Sequence, residues 1–164
     1  MQLSTRGRYA VMAMVDLATQ EAADSASSRI CLADIACRQQ LSQSYLEQLF
    51  AKLRRAELVC SARGPGGGYR LARPSSEIAI ADIVAAVDEP ITATRCEIGS
   101  GGCMVAPPPG LGGERCQTHD LWFELGRQIA FFLSGITLAD VVLGRVMGRA
   151  VRLSPAGSDQ NGAG

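Results

Sequence analysis

The chain has one histidine and one tryptophan among its 164 residues, and a formal net charge of zero. No apolar run reaches the roughly 18 residues that suggest a membrane span. No signal-peptide core follows Met1-Gln2-Leu3-Ser4-Thr5-Arg6, which leads straight into an amphipathic pattern. These lacks point to a cytoplasmic protein with no membrane partner. No C-x-x-C motif is present, which speaks against a dithiol redox or electron-transfer carrier. No nucleophile, base and orienting group form a recognisable set, so no enzyme activity is expected. No internal repeat is visible, so repeat architectures are set aside.

What is there is distributed unevenly. Residues 1–73 carry ten Lys/Arg against six Asp/Glu, and residues 74–164 carry six against ten. A basic first half suggests a polyanion partner for that half. Hydrophobic residues make up 47%, enough for a real core. The length suits one domain, or one domain with an appended element.

Helical periodicity dominates. Val11, Met14, Val15 and Ala18 follow i, i+3, i+4, i+7 and predict a helix over about 4–21. A small, polar loop runs from Ala22 to Ser28. Leu32, Ile35 and Ala36 mark a short second helix. A third starts near Ser42 or Ser44, runs to about Ala56, and buries Leu46, Leu49, Phe50 and Leu53. The period then changes. Leu58 to Arg63 reads as a strand, Gly64-Pro65-Gly66-Gly67-Gly68 as a turn, and Tyr69 to Leu71 as the returning strand. Ile80, Ile83, Val84 and Val87 predict another short helix. Leu121 to Ile136 is the longest apolar helix, and Thr137 is placed to cap a last one.

Three helices followed by a hairpin is the order of a winged helix-turn-helix, whose third helix enters the major groove. The expected fold is therefore mainly α with a small β-hairpin wing. Residues 1–74 are read as the DNA-binding head. Residues 75–153 are read as a second unit, and residues 154–164 as a disordered tail.

The third helix offers Ser44, Tyr45, Glu47, Gln48, Lys52, Arg54 and Arg55 on its solvent side. Ser, Tyr, Lys and Arg suit phosphate oxygens, Gln an adenine edge, and Glu the amino group of cytosine. Arg63 stands at the hairpin tip, where the glycines allow close backbone approach to a phosphate or groove. Plainer roles compete. Ser44 and Glu47 also match a capping box, and Arg54 and Arg55 suit the negative end of a helix without any DNA. The glycine run lacks the Lys-Ser/Thr and following helix of a nucleotide-binding loop.

Cys96, Cys103, Cys116 and His119 form a C-x6-C-x12-C-x2-H pattern. Three thiolates and one imidazole suit a tetrahedral zinc or an iron–sulfur cluster. The spacings do not fit a zinc finger, whose ligands come in close pairs. Imidazole must be deprotonated to bind, so such a site is pH-sensitive. Cys31, Cys37 and Cys60 fall in or beside predicted helices and a strand, and are expected to be buried as small hydrophobes.

The stretches LSTRGRYAVMAMVDLA, SQSYLEQLFAKLRRAELV, RGPGGGYRLAR, VDEPITATRC and CQTHDLWFELGRQIAFFLSGITLADVV closely resemble the IscR-type iron–sulfur cluster-sensing regulators. These belong to a family of dimeric bacterial winged-helix repressors. The resemblance implies a [2Fe–2S] cluster on Cys96, Cys103, Cys116 and His119. It implies a homodimer built on the long C-terminal helix, a near-palindromic operator in double-stranded DNA, and control of cluster-assembly genes. The cluster assembly machinery is then the cluster donor. DNA contacts fall on the third helix and wing, with Glu47 tuning which sequences the cluster-free form accepts. The Cys103–Cys116 gap, with Pro107-Pro108-Pro109 inside it, is longer than is usual in the family. A related repressor that senses nitric oxide or redox stress through a different cluster, or a zinc-stabilised regulator, is the alternative.

Overall fold

The computed structural model describes residues 5–23, 29–62, 64, 66–87 and 118–148. Arg63, the segment holding Cys96, Cys103 and Cys116, and the expected tail at 154–164 lie outside the described residues. Helix α1 runs over Thr5–Ala23, α2 over Leu32–Gln39 and α3 over Gln43–Arg55. The antiparallel strands β1 (Val59–Ala62) and β2 (Gly68–Leu71) follow. A 3-10 turn at Ser75–Glu77 leads to α4 (Ile80–Ala86), and α5 (His119–Ser134) and α6 (Leu138–Val142) complete the described chain.

The predicted apolar spacing becomes the packed face in α2 and α3. Helix α2 buries Leu32, Ile35 and Ala36, and α3 buries Leu46, Leu49, Phe50 and Leu53. In α1 the face is rotated: Val11 and Val15 of the expected stripe are half-buried, and Ala10, Ala13 and Leu17 are buried beside Met14 and Ala18. Each large side chain removed from water contributes about 1.5–3 kcal/mol before entropic losses. Ile78, Ile80, Ile83, Val84, Ile136 and Leu138 join the same core from beyond Pro74. Two short backbone pairings fix that junction. Ile80 N–H donates to Ile136 O at 2.9 Å, and Leu138 N–H donates to Ile78 O at 2.8 Å.

The turn between α2 and α3 is brief. Gln40 closes α2 in the left-handed region, at φ 53°, and Leu41 N–H returns to Ala36 O at 2.9 Å. This is the usual way a helix end satisfies its last carbonyls, here without glycine. Helix α3 then begins with Ser42 at its N-cap. The side chain of Ser42 makes no cap bond. It pairs with the Ser44 hydroxyl at 2.8 Å instead. The candidate capping box of Ser44 and Glu47 is therefore not formed, because α3 starts two residues earlier than that pattern requires. A true capping box stands at α6, where Thr137 Oγ1 accepts from Asp140 N–H at 3.2 Å and Asp140 accepts from Thr137 N–H at 3.1 Å.

The hairpin is moored on both sides. Tyr69 packs edge-to-face on Phe50 of α3, with ring centroids 4.9 Å apart. On the outer edge of β2, Ile30 and Tyr69 exchange two backbone hydrogen bonds, at 2.9 and 2.8 Å. One residue pair further on, Leu71 N–H donates to Glu21 Oε1 at 2.6 Å. Gly68 is required here, since a Cβ would lie 2.7 Å from Ile30 O and its φ is +154°.

Partial burial raises the Glu21 carboxyl above its ordinary 4.5, against the opposing pull of the Leu71 N–H and the Arg70 charge. A carboxyl with a raised folded-state pKa binds its proton more tightly when folded. Its contribution to stability is complete at low pH and is lost as pH rises from 4.5 through the folded value. Glu21→Gln keeps an acceptor for Leu71 N–H and removes the titration. We expect the variant to gain stability relative to wild type as pH rises through that window, and to show no gain below it. Urea denaturation between pH 4 and 7 measures both arms.

Candidate nucleic-acid interface

Helix α3 presents its polar side away from the core. Ser44, Gln48, Ala51 and Arg55 recur at i, i+4, i+7, i+11 and form one outward stripe. Glu47 and Arg54 flank it on one edge, Tyr45 and Lys52 on the other. Ser44, Glu47, Gln48, Arg54 and Arg55 are exposed, whereas Tyr45 and Lys52 are half-buried. Lys52, Arg54 and Arg55 occupy the last turn, where their charge also favours the helix carbonyl end.

Several of these side chains already have protein partners. Tyr45 meets Tyr9 of α1 edge-to-face, with ring centroids 6.1 Å apart. That contact turns its ring toward α1, so it is less free than an outward position implies. Arg54 Nη1 donates to Ser61 Oγ of β1 at 3.3 Å and links the helix to the wing. Gln43 Nε2 donates to Glu47 Oε1 at 3.0 Å. Reading the sequence did not single out Gln43, although its i, i+4 spacing to Glu47 is the pattern for such a pair.

The placement of α3 is set from behind. Asp16 of α1 is only 7% exposed and accepts from Arg38 Nε at 3.1 Å and Nη2 at 2.6 Å. Its other oxygen accepts from Gln39 Nε2 at 2.8 Å. Arg38 and Gln39 are adjacent in the last turn of α2, immediately before the turn into α3. The hydrogen bond to Asp16, above all, holds the Arg38 guanidinium above its ordinary pKa.

The wing turns at Gly64 and Gly66, with φ of 99° and 75°, and Gly67 N–H closes the turn on Gly64 O at 2.8 Å. On the face of the hairpin away from α3, Arg70 Nε donates to the sulfur of its cross-strand partner Cys60 at 3.1 Å. Cys60 is thus half-buried and engaged, not a silent core thiol. Cys31 and Cys37 are exposed, contrary to expectation. Cys31 is the N-cap of α2, outside its packed face, and Cys37 points away from Leu32, Ile35 and Ala36.

Of the predicted ligands, the described structure positions one. His119 is the first residue of α5, directly after the N-cap Thr118. Among the described residues no three His, Cys, Asp or Glu side chains are grouped to hold a metal ion. None of the described helices is long and apolar enough to cross a membrane.

A helix-turn-helix with a hairpin beside its second helix, presenting Gln, Ser and Arg outward, defines a winged-helix DNA-binding transcriptional regulator. The chain belongs to the Rrf2 family, described as an iron-dependent transcriptional regulator, whose model matches residues 3–143. It is 50% identical over 142 residues to the HTH-type transcriptional regulator IscR of Serratia proteamaculans, spanning 87% of this chain and 79% of that protein. Its identity to IscR of Klebsiella pneumoniae is 48%, over 87% of this chain and 80% of that one. The solved structure of T. potens IscR matches with a TM-score of 0.66 at 33% identity, covering 93% of both chains. CymR, the global cysteine regulator of B. subtilis, also matches with a TM-score of 0.66, at 30% identity over 88% of this chain and 98% of that one. These relatives are regulators rather than enzymes, and the protein regulates transcription by binding DNA.

Arg38→Ala leaves the buried Asp16 carboxylate with the Gln39 amide as its side-chain donor among the described residues. Stranding a buried charge in this way costs about 2–4 kcal/mol. Asp16→Asn, which leaves Arg38 facing water, should cost less. Chemical denaturation of both variants checks the order.

Proposed function

We propose that this chain controls iron–sulfur cluster biogenesis genes, as a repressor, according to its own [2Fe–2S] occupancy. The observation that carries this reading is 50% identity to a curated IscR regulator in a chain that holds a Cys3His donor set. Cys96, Cys103, Cys116 and His119 would be the ligands. Three thiolates and one imidazole suit iron in a sulfide-bridged core, and such a group supplies a redox-responsive crosslink among them.

The fold supports a route from that donor set to DNA. The ligand-bearing segment leaves from the end of α4 and returns at the start of α5. Helix α4 in turn touches α5, α1 and α3. Tying residues 96–119 together therefore bears on the two helices that flank them, and through α4 on the reading helix. In this reading residues 1–74 form the DNA-binding head, and residues 75–153 carry the cluster and the dimer contacts. Helix α5 leaves Leu121, Phe123 and Phe131 exposed, at 61%, 45% and 71%, which supports a homodimer built along it. Two heads related by a two-fold axis require a near-palindromic operator in double-stranded DNA. The protein works in the cytoplasm, and the cluster assembly machinery is its cluster donor.

DNA contacts fall on Ser44, Tyr45, Glu47, Gln48, Lys52, Arg54, Arg55 and Arg63. Glu47 discriminates. A carboxylate carried into the groove among phosphates opposes binding unless a base amino group satisfies it. It thereby sets which sequences the cluster-free form accepts.

Protein purified without oxygen should be coloured and contain iron. Replacing Cys96, Cys103 or Cys116 by Ala should abolish the visible absorption, and His119→Ala should shift or weaken it. Colourless, iron-free protein that binds its promoter equally well with all four donors replaced overturns the reading. On the DNA side, Arg63→Ala should reduce the slope of log K against log salt by about one unit per protomer. An unchanged slope removes Arg63 from the phosphate contacts.

A further inference from the structure

The Gln43–Glu47 bond lies at the leading edge of the reading helix and the DNA-binding reading does not absorb it. Gln43 is the first residue of α3, in the turn that enters the groove first. Its amide donates to one carboxylate oxygen of Glu47 at 3.0 Å, and both side chains are exposed. The cation on the same edge, Arg54, directs its Nη1 to Ser61 of the wing. Gln43 thus brings Glu47 a neutral donor that travels into the groove with it. In water this bond matters little, since a hydrated carboxylate has donors to spare. In the groove water is displaced, and every donor to that carboxylate counts.

We infer that Gln43 is a specificity-determining residue that widens the range of operators the regulator tolerates, by satisfying Glu47 where the DNA does not. This rests on the discriminating role proposed for Glu47. Two cases show the sign. Opposite a cytosine, the N4 amino group satisfies Glu47 and the Gln43 bond is partly redundant. Opposite a base without an amino donor, the Gln43 amide is the one partner the side chain brings along. Its loss therefore penalises the second operator more than the first. Gln43 and Glu47 act in opposite directions: the carboxylate narrows the choice of sequence and the amide softens it.

The test uses the full-length chain without cluster and duplex operators in which each half-site base pair is changed in turn. The quantity read is the affinity ratio between operators with and without an amino donor at the position Glu47 faces. Glu47→Ala identifies that position by collapsing the ratio. Gln43→Ala should raise the ratio by roughly five- to tenfold, the scale of one ordinary net hydrogen bond, because the bond is partly redundant and not absent on the favoured operator. Gln43→Glu, which cannot donate as a carboxylate, should raise it at least as much. The double variant Gln43→Ala with Glu47→Ala should match Glu47→Ala alone. Both side chains are exposed, so unchanged melting curves are expected throughout. If Glu47→Ala collapses the ratio while both Gln43 variants leave it at the wild-type value, the Gln43 inference is overturned and the Glu47 reading stands. If Glu47→Ala leaves the ratio unchanged, both fall.

Discussion

A single buried carboxylate governs the posture of the reading head. Asp16 sits in the middle of α1 and takes bonds from two consecutive side chains at the end of α2. An acid there would be a liability in an apolar core. Paired with an arginine and an amide it becomes a directional joint, because the guanidinium fork and the carboxylate accept one another in a narrow range of angles. Hydrophobic contact alone would let α2 slide on α1. The short turn at Gln40 to Ser42 transmits the fixed end of α2 to α3. The outward stripe of α3, the Tyr45–Tyr9 contact and the Arg54–Ser61 link are all placed relative to that joint.

The fold was largely legible in the sequence, and the reasons are physical. Leu46, Leu49, Phe50 and Leu53 repeat at helical spacing because one face of α3 is buried, and the same holds for α2. The glycine run could only turn. Details set by a single backbone choice were not legible. Moving the start of α3 to Gln43 converted a candidate capping pair into two other polar pairs. Cys31 and Cys37 illustrate the opposite failure. A cysteine is commonly buried, yet helical phase decides, and theirs places both outside the packed stripe. The Asp16–Arg38–Gln39 joint spans more than twenty residues of sequence, and no local pattern announces it.

The candidate site divides in the same way. Outward positions on α3 follow from periodicity, and five of the seven predicted there are exposed. Partnerships across elements, such as those of Tyr45 and Arg54, require the tertiary arrangement. For the proposed ligand set, residue types suggest a chemistry and the proposed function rests on them. The fold adds a frame for it: α4 before the segment and α5 after it, with His119 opening the second.

The mooring of β2 has a practical side. Glu21 and Ile30 stand on either bank of residues 24–28, and both grip neighbouring positions of one strand, Leu71 and Tyr69. The two banks are therefore held in register by the sheet. A tag or reporter peptide spliced between them would hang from anchored ends, leaving the head free to work while it is watched.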